Sequence, residues 1–383
     1  MRYRDRLDLA LMAAEGGEGA AAAGVFTRNR FCAAPVEICR DRLGKGPIRA
    51  IVVNAGIANA CTGAEGLMLA RGMTKLAARH LGSSEEAVLV ASTGIIGQQI
   101  RLEPLEAAMP ALVGSLRPDG WDDVARAIMT TDTVPKMSWT RVEIGGNRVT
   151  VGGVAKGAGM IAPDMATLLA FVCTDARIEP GVLRQWVRQG AEQSFNAITI
   201  DGDTSTNDTL LVLAGGAASN PIIQSVDSED SLRFGHALSA VLLDLAIQIV
   251  ADGEGATKLI HIRVTGAPDD RSARRVALTI ANSPLVKTAF FGGDANWGRI
   301  VAAAGRSGVD IVPERAALHF EDLCVFRGGT PVQGPEIESE ATRIFSSKEI
   351  RVRLDLGLGD GEFTAHTCDF SYDYVKINAD YRT

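Results

Sequence analysis

Apolar residues in the first half of the chain fall into short continuous runs separated by segments of helical spacing. Arg49-Ala-Ile-Val-Val-Asn54 and Ala87-Val-Leu-Val-Ala91 are runs of strand length, the pattern of strands buried on both faces. Each is expected to end in a loop of small residues, Asn54-Ala-Gly-Ile-Ala-Asn-Ala-Cys-Thr-Gly63 and Ser92-Thr-Gly-Ile-Ile-Gly97. Between them, apolar positions three and four apart predict a helix over 64–80 that stops before Leu81-Gly82. Residues 182–195 and 227–250 carry the same spacing, the second stopped at Asp252-Gly-Glu-Gly255. The alanine- and glycine-rich stretch 13–24 reads as a surface turn. From Lys258 the texture changes to strand (259–264), helix (270–281), glycine turn (290–298), a helix ending at Gly305, and strands near 316–325 and 349–354. A main domain over 1–255 and a smaller α/β domain over 256–370 follow from that change.

Composition narrows the classes of function. A chain of 383 residues with 46% hydrophobic content can bury a large core. The net charge of -7 and pI near 5.4 offer no basic face to a phosphate backbone, so nucleic acid is not an expected partner. The first fourteen residues mix Asp with Arg ahead of a very short apolar stretch, which predicts no secretory signal and a cytoplasmic protein. The longest apolar helical pattern, 240–251, is interrupted by Asp244 and Gln248 and is too short to span a bilayer. Cys32, Cys39, Cys61, Cys173, Cys324 and Cys368 form no CxxC pair and read as reduced thiols. His80, His236, His261, His319 and His366 show no ligand spacing, and no metal site is expected.

The segment Lys156-Gly-Ala-Gly-Met-Ile-Ala-Pro-Asp-Met-Ala-Thr-Leu-Leu-Ala-Phe-Val-Cys-Thr174 concentrates the candidate chemistry. Taken alone, Ala166-Thr-Leu-Leu-Ala-Phe-Val172 is an apolar run in which Thr167 is an ordinary strand residue. Other motifs change that meaning: Ser92-Thr-Gly-Ile-Ile-Gly97, Asp201-Gly-Asp-Thr-Ser-Thr-Asn-Asp208, Asp252-Gly-Glu-Gly-Ala-Thr-Lys258, Asn296-Trp-Gly-Arg299 and Tyr374-Val-Lys-Ile-Asn-Ala-Asp380. In this order, and spread over nearly the whole chain, they resemble the ornithine acetyltransferase family of arginine biosynthesis.

That resemblance implies a layered α/β/β/α sandwich related to N-terminal-nucleophile-like self-processing enzymes, with a smaller C-terminal α/β domain. It also implies self-cleavage between Ala166 and Thr167, giving an α chain of 1–166 and a β chain of 167–383. A threonine hydroxyl is a weak nucleophile at neutral pH, and cleavage supplies a base on the same residue, its freed α-amine. With an unperturbed pKa of about 7.7 to 8.0, that amine is partly unprotonated near neutrality. The family's oxyanion donors fall on Thr93 and Gly94, and its substrate contacts on Thr133, Lys156, Thr167, Glu254, Asn378 and Thr383, with 371–383 returning to the active site. The implied reaction moves acetyl from N2-acetylornithine to glutamate through an acetyl-Thr167 ester, without a cofactor, in a heterotetramer of two α and two β chains. Whether acetyl-CoA is a second donor is left open by these residues.

Two other functions compete at this level: an N-terminal-threonine amidase or aminopeptidase in which water takes the acyl group, and an uncleaved homologue without chemistry. Apart from the resemblance, Lys156 and Glu254 read as solvated surface charges, and Asn378 and Thr383 as a frayed terminus. Asp201 to Asp208 is oxygen-rich but lacks EF-hand spacing, so it is expected to be structural, as is Asn296-Trp-Gly-Arg299. Relatives usually carry residues ahead of Asp8-Leu-Ala-Leu11, so an exposed sheet edge is expected near the start. Phe363-Thr-Ala-His-Thr-Cys-Asp369 departs from the family's Trp-Gly-Cys-Asp, and Cys173 replaces a common Ala; neither touches an assigned position. Cleavage at 166/167 predicts that the 40.4 kDa chain runs on a denaturing gel as bands of about 17.5 and about 22.9 kDa. A single stable band at full size would refute it.

Overall fold

A computed structural model of the chain describes residues 6–17, 19–162 and 168–380. Two compact units divide it, Met1–Asn196 with Asp203–Ile249, and Ala197–Gly202 with Val250–Tyr381. In chain order the first part contains β1 (Leu9–Ala13), β2 (Ala21–Phe26), α1 (Ala34–Arg42), β3 (Ala50–Ile57), α2 (Gly63–Leu81), β4 (Val88–Ile95), α3 (Leu102–Gly114) and α4 (Trp121–Ala127). It continues with β5 (Lys136–Ile144), β6 (Asn147–Lys156), β7 (Leu169–Thr174), α5 (Pro180–Gln193), β8 (Ile198–Thr199), β9 (Thr209–Ala214) and α6 (Glu229–Ala251).

In the first unit, β1-β3-β4 form one sheet and β2-β9-β7-β6-β5 another. Ile51, Val53 and Val90 of the first share a single core with Val154, Phe171 and Leu211 of the second, so the apolar faces of the two sheets pack together. Helices α1 and α2 pack on β4, and α5 packs on β2; the indole N–H of Trp186 on α5 donates to Ser231 Oγ on α6 at 2.8 Å. Helix, sheet, sheet and helix therefore lie in layers, the α/β sandwich that the family resemblance implies.

Several elements differ from the pattern-based expectation. The stretch 13–24 is not a turn throughout: from Ala21 it is β2, whose small side chains pair antiparallel along the whole of β9. Helix α6 runs for 23 residues, long and apolar enough to cross a membrane by length and composition. Its Leu238, Val241, Leu242, Leu245, Ala246 and Ile249 are instead sealed in the protein interior, which makes it a core helix. Among the described residues, strand β1 occupies an edge of the first sheet, paired only with β3.

The second unit continues through β10 (Leu259–Ala267), α7 (Asp270–Ala281), α8 (Pro284–Phe291), α9 (Trp297–Gly305), β11 (Ala317–Phe320), β12 (Leu323–Arg327) and β13 (Thr330–Pro331). It closes with α10 (Pro335–Phe345), β14 (Glu349–Asp355), β15 (Gly361–Cys368) and α11 (Tyr372–Asp380). One sheet runs β13-β12-β11-β14-β10-β15-β8. The alternating Ile260, Ile262 and Val264 of β10 face Val276, Ala277 and Ile280 of α7 in its core, as period-two and helical spacing require. The predicted glycine turn is helical at its ends, since Phe290 and Phe291 complete α8 and Trp297 begins α9. Asn296 caps α9, its Oδ1 accepting from Arg299 N–H at 3.1 Å, while Arg299 Nη1 donates to the Leu285 carbonyl at 2.9 Å. That motif braces the turn.

Phe171, with no solvent exposure, fills the space between the two sheets of the first unit. Phe171→Ala should destabilise this unit by about 3 to 5 kcal/mol, read as a lower midpoint in urea unfolding; an unchanged midpoint would contradict a shared core.

Candidate active site

The apolar runs of β3 and β4 extend beyond the predicted loop starts, because the polar residues at their ends are satisfied inside the sheet. Ser92 Oγ donates to Asn54 Oδ1 at 2.6 Å, and Asn54 Nδ2 donates to the Ile57 carbonyl at 2.9 Å. Asn207 then ties both strands down, its Nδ2 donating to the Ala58 and Ser92 carbonyls at 2.7 and 2.8 Å. Thr93 and Gly94 thus sit on a parallel strand pair and not on a free loop. Gly94 has φ of +127°, and a Cβ there would lie 2.2 Å from the Gly56 carbonyl carbon on β3. No larger residue fits. The pairing is irregular here, with a register shift between Gly56 and Ile57.

Lys156, at the end of β6, is only 4% exposed and donates from Nζ to Thr93 Oγ1 at 3.3 Å. A solvated surface charge is therefore the wrong description of it. Asp132 lies in the same buried region. Its Oδ1 accepts from Lys136 Nζ at 2.8 Å and from Gly157 N–H at 2.7 Å, and its Oδ2 accepts from Thr130 N–H at 3.0 Å. Burial by itself pushes the Asp132 carboxyl up, but the Lys156 and Lys136 ammonium groups, with the hydrogen bonds from Lys136 and the Thr130 N–H, hold it at about 2. Lys136 is itself 1% exposed. A fixed anion therefore stands beside the turn that follows Lys156.

Among the assigned residues, Thr93, Gly94, Thr133 and Lys156 belong to the first unit, and Thr133 is solvent-exposed. Ala166, Thr167 and Thr383 lie outside the described residues. The first described residue after Thr167 is Leu168, whose N–H donates to Asp208 Oδ1 at 3.0 Å and whose carbonyl accepts from Thr209 N–H at 3.0 Å.

Glu254 and Asn378 belong to the second unit, where Asn378 Nδ2 donates to Glu254 Oε2 at 2.8 Å. The turn carrying Glu254 is held by Asp369 at the end of β15: Oδ1 accepts from the N–H groups of Thr257 and Lys258 at 2.8 and 2.9 Å, and Oδ2 from the Thr257 hydroxyl. Ser371 Oγ adds a bond to the Gly255 carbonyl at 2.6 Å. Glu254 is 9% exposed, again unlike a solvated charge.

Sequence reasoning did not single out Asp132, Lys136, Asn207, Asp208 or Asp369. A signal was present for the first pair, since Asp132 and Lys136 are an acid and a base four residues apart around Pro135. The others sit in motifs already noticed, but their partners lie far away in sequence.

The layered sandwich, with a buried lysine on a strand-end threonine and a fixed anion beside it, is the frame of an acyltransferase. A family model described as the ArgJ family matches residues 1–383. The arginine biosynthesis bifunctional protein ArgJ of Geobacter sulfurreducens is 51% identical over 378 residues, covering 99% of this chain and 95% of that protein. The protein of the same description from Desulfotalea psychrophila is 50% identical over 383 residues, covering 100% and 96%. A crystal structure of arginine biosynthesis bifunctional protein ArgJ from Bacillus halodurans superposes with TM-score 0.54 at 42% identity, over 56% of this chain and 99% of that one. The chain belongs to the ArgJ family.

Because its pKa is depressed, Asp132 contributes stability that is fully present above pH of about 4 and lost as pH falls towards about 2. Asp132→Asn leaves Lys136 buried without its anion, and should cost about 3 to 5 kcal/mol near neutrality and flatten this acid limb. Thermal unfolding across pH checks both; a variant as stable as wild type would contradict the pairing.

Proposed function

We propose that the protein is a glutamate N-acetyltransferase of arginine biosynthesis that cleaves itself between Ala166 and Thr167 and carries acetyl on Thr167. The Thr167 hydroxyl attacks the Ala166 carbonyl carbon, the C–N bond breaks and its nitrogen takes up the hydroxyl proton to become the free Thr167 amine, and water then hydrolyses the resulting ester to release the Ala166 carboxylate and restore the Thr167 hydroxyl. In turnover, that amine takes the hydroxyl proton while Oγ attacks the acetyl carbon of N2-acetylornithine. Ornithine leaves with its amine protonated, and the glutamate amine then takes the acetyl group from the ester.

The observation that carries this reading is the bond from Lys156 to Thr93. By occupying a lone pair of Thr93 Oγ1, the ammonium polarises the hydroxyl and leaves its hydrogen to donate to a developing oxyanion, beside the Gly94 N–H. Lys156 also supplies a cation for a substrate carboxylate, and Glu254, held by Asn378, an anion for an ammonium. Thr133 and Thr383 complete the assigned substrate contacts.

The Bacillus halodurans chain adds support for cleavage: nearly all of it is matched by 56% of 383 residues, about 214, close to the length of the segment from 167 to 383. The relatives' description as bifunctional favours acetyl-CoA as a second donor. We take the working form to be cytoplasmic, with two copies of each cleaved chain; six free thiols agree with a reducing compartment.

Acetyl transfer from acetylornithine to glutamate should exceed release of free acetate, with ping-pong kinetics; acetate as the main product would make the protein a hydrolase. Lys156→Met should raise KM for acetylornithine about tenfold or more, as expected for a lost charge-assisted bond, and lower kcat through Thr93. Wild-type values of both would sink the role given to Lys156.

A further inference from the structure

Lys287 is a buried cation that the reaction above does not use. It lies in α8 and is 1% exposed, although lysine is almost never fully buried unless it is paired. Its ammonium forms no ion pair among the described residues; Nζ donates instead to Thr367 Oγ1 at 2.7 Å and to the Cys368 carbonyl. It stands 4.6 Å from the centre of the Phe370 ring. The Lys287 carbonyl accepts from the Phe370 N–H at 3.3 Å. Side chain and backbone of one residue thus grip Thr367 to Phe370, where β15 ends. Taking an ammonium out of water is costly, and an apolar side chain would fill the same space, so packing alone does not account for a lysine here.

The gripped segment supports the turn that carries Glu254. Asp369, inside it, accepts the N–H groups of Thr257 and Lys258 at 2.8 and 2.9 Å. Cys368 backs the residue ahead of Glu254: a Cβ on Gly253 would lie 3.1 Å from its Sγ. Ser371, one residue beyond the segment, donates to the Gly255 carbonyl at 2.6 Å. Residues on each side of Glu254 therefore rest on a stretch whose position Lys287 sets.

Building on the reading of Glu254 as the anion that meets a substrate ammonium, we propose that Lys287 is a positioning residue: it holds Thr367 to Phe370 so that the turn presents the Glu254 carboxylate to the side-chain ammonium of N2-acetylornithine. That substrate has one ammonium, on its side chain, because its α-nitrogen is acylated. Glutamate carries no side-chain ammonium, so the half-reaction that takes acetyl from acetylornithine depends on Glu254 more than the one that gives it to glutamate. A charge-assisted bond needs its partners held close to their working geometry.

Lys287→Met keeps the apolar stem of the side chain and removes its donors. The variant should raise KM for acetylornithine at least about tenfold, as for a weakened charge-assisted bond, with kcat and KM for glutamate within about threefold of wild type. Thr367→Val removes one acceptor and should raise the same constant by about threefold or more; it serves if the Met variant fails to fold. Glu254→Gln, measured beside them, should raise KM for acetylornithine at least as far. Wild-type KM for acetylornithine in Lys287→Met or Thr367→Val, while Glu254→Gln raises it, overturns the role of Lys287. So does a loss spread equally over kcat and both KM values, the mark of a general structural defect. Wild-type KM in Glu254→Gln overturns the reading of Glu254 itself, and the role of Lys287 falls with it.

Discussion

Two buried aspartates hold the ends of the segment on which the account rests. Asp132 takes the Gly157 N–H at 2.7 Å where β6 ends, and Asp208 takes the Leu168 N–H at 3.0 Å where β7 is about to begin. Between those bonds lies the Met-Ala-Thr sequence. Strands β6 and β7 are antiparallel neighbours, with Lys156 paired to Leu169, so the chain leaves the sheet and re-enters it at the same level. The two acids are unlike: Asp132, with two lysines near it, is held at about 2, whereas Asp208 is raised by burial. Environment, and not residue type, holds one carboxyl low and pushes the other up.

The second unit repeats the strategy with a different acid. Asp369 accepts three hydrogen bonds from Thr257 and Lys258 and so shapes the turn that presents Glu254. Lys258 extends the same brace, its Nζ donating to the carbonyls of Phe290 and Phe345 at 2.6 Å each. Within the motif Asp252-Gly-Glu-Gly-Ala-Thr-Lys258, Thr257 and Lys258 set the shape of the turn, and Glu254 is held by Asn378.

Much of this architecture is legible in the residues, wherever local pattern and tertiary packing agree. Helix α7 occupies the positions its spacing predicts, 270–281, and α2 ends at a left-handed Gly82 as a helix stopped by glycine should. Pattern misleads where distant partners change the local rule. Asn54 and Ser92 look like the ends of apolar runs, yet each satisfies the other, and β3 and β4 continue to Ile57 and Ile95. Small residues at 21–24 look like a turn until β9 supplies a strand to pair with. Lys156, Glu254, Asp132 and Asp208 show the same limit: their burial follows from partners that include some far away in sequence, as Asn378 is from Glu254 at 124 residues, and no short window of sequence contains that information. Motif order across the whole chain pointed to Thr93, Lys156 and Glu254; it did not point to the acids that place them.

The central claim is that residue 167 becomes the first residue of a second chain and carries the acyl group. Intact-mass spectrometry of purified protein, before and after brief exposure to N2-acetylornithine without glutamate, tests it most directly. The account predicts two chains dividing at 166/167, with one acetyl group gained by the chain that begins at Thr167 and lost when glutamate is added. An undivided chain, or an acetyl group residing on the other one, would contradict it.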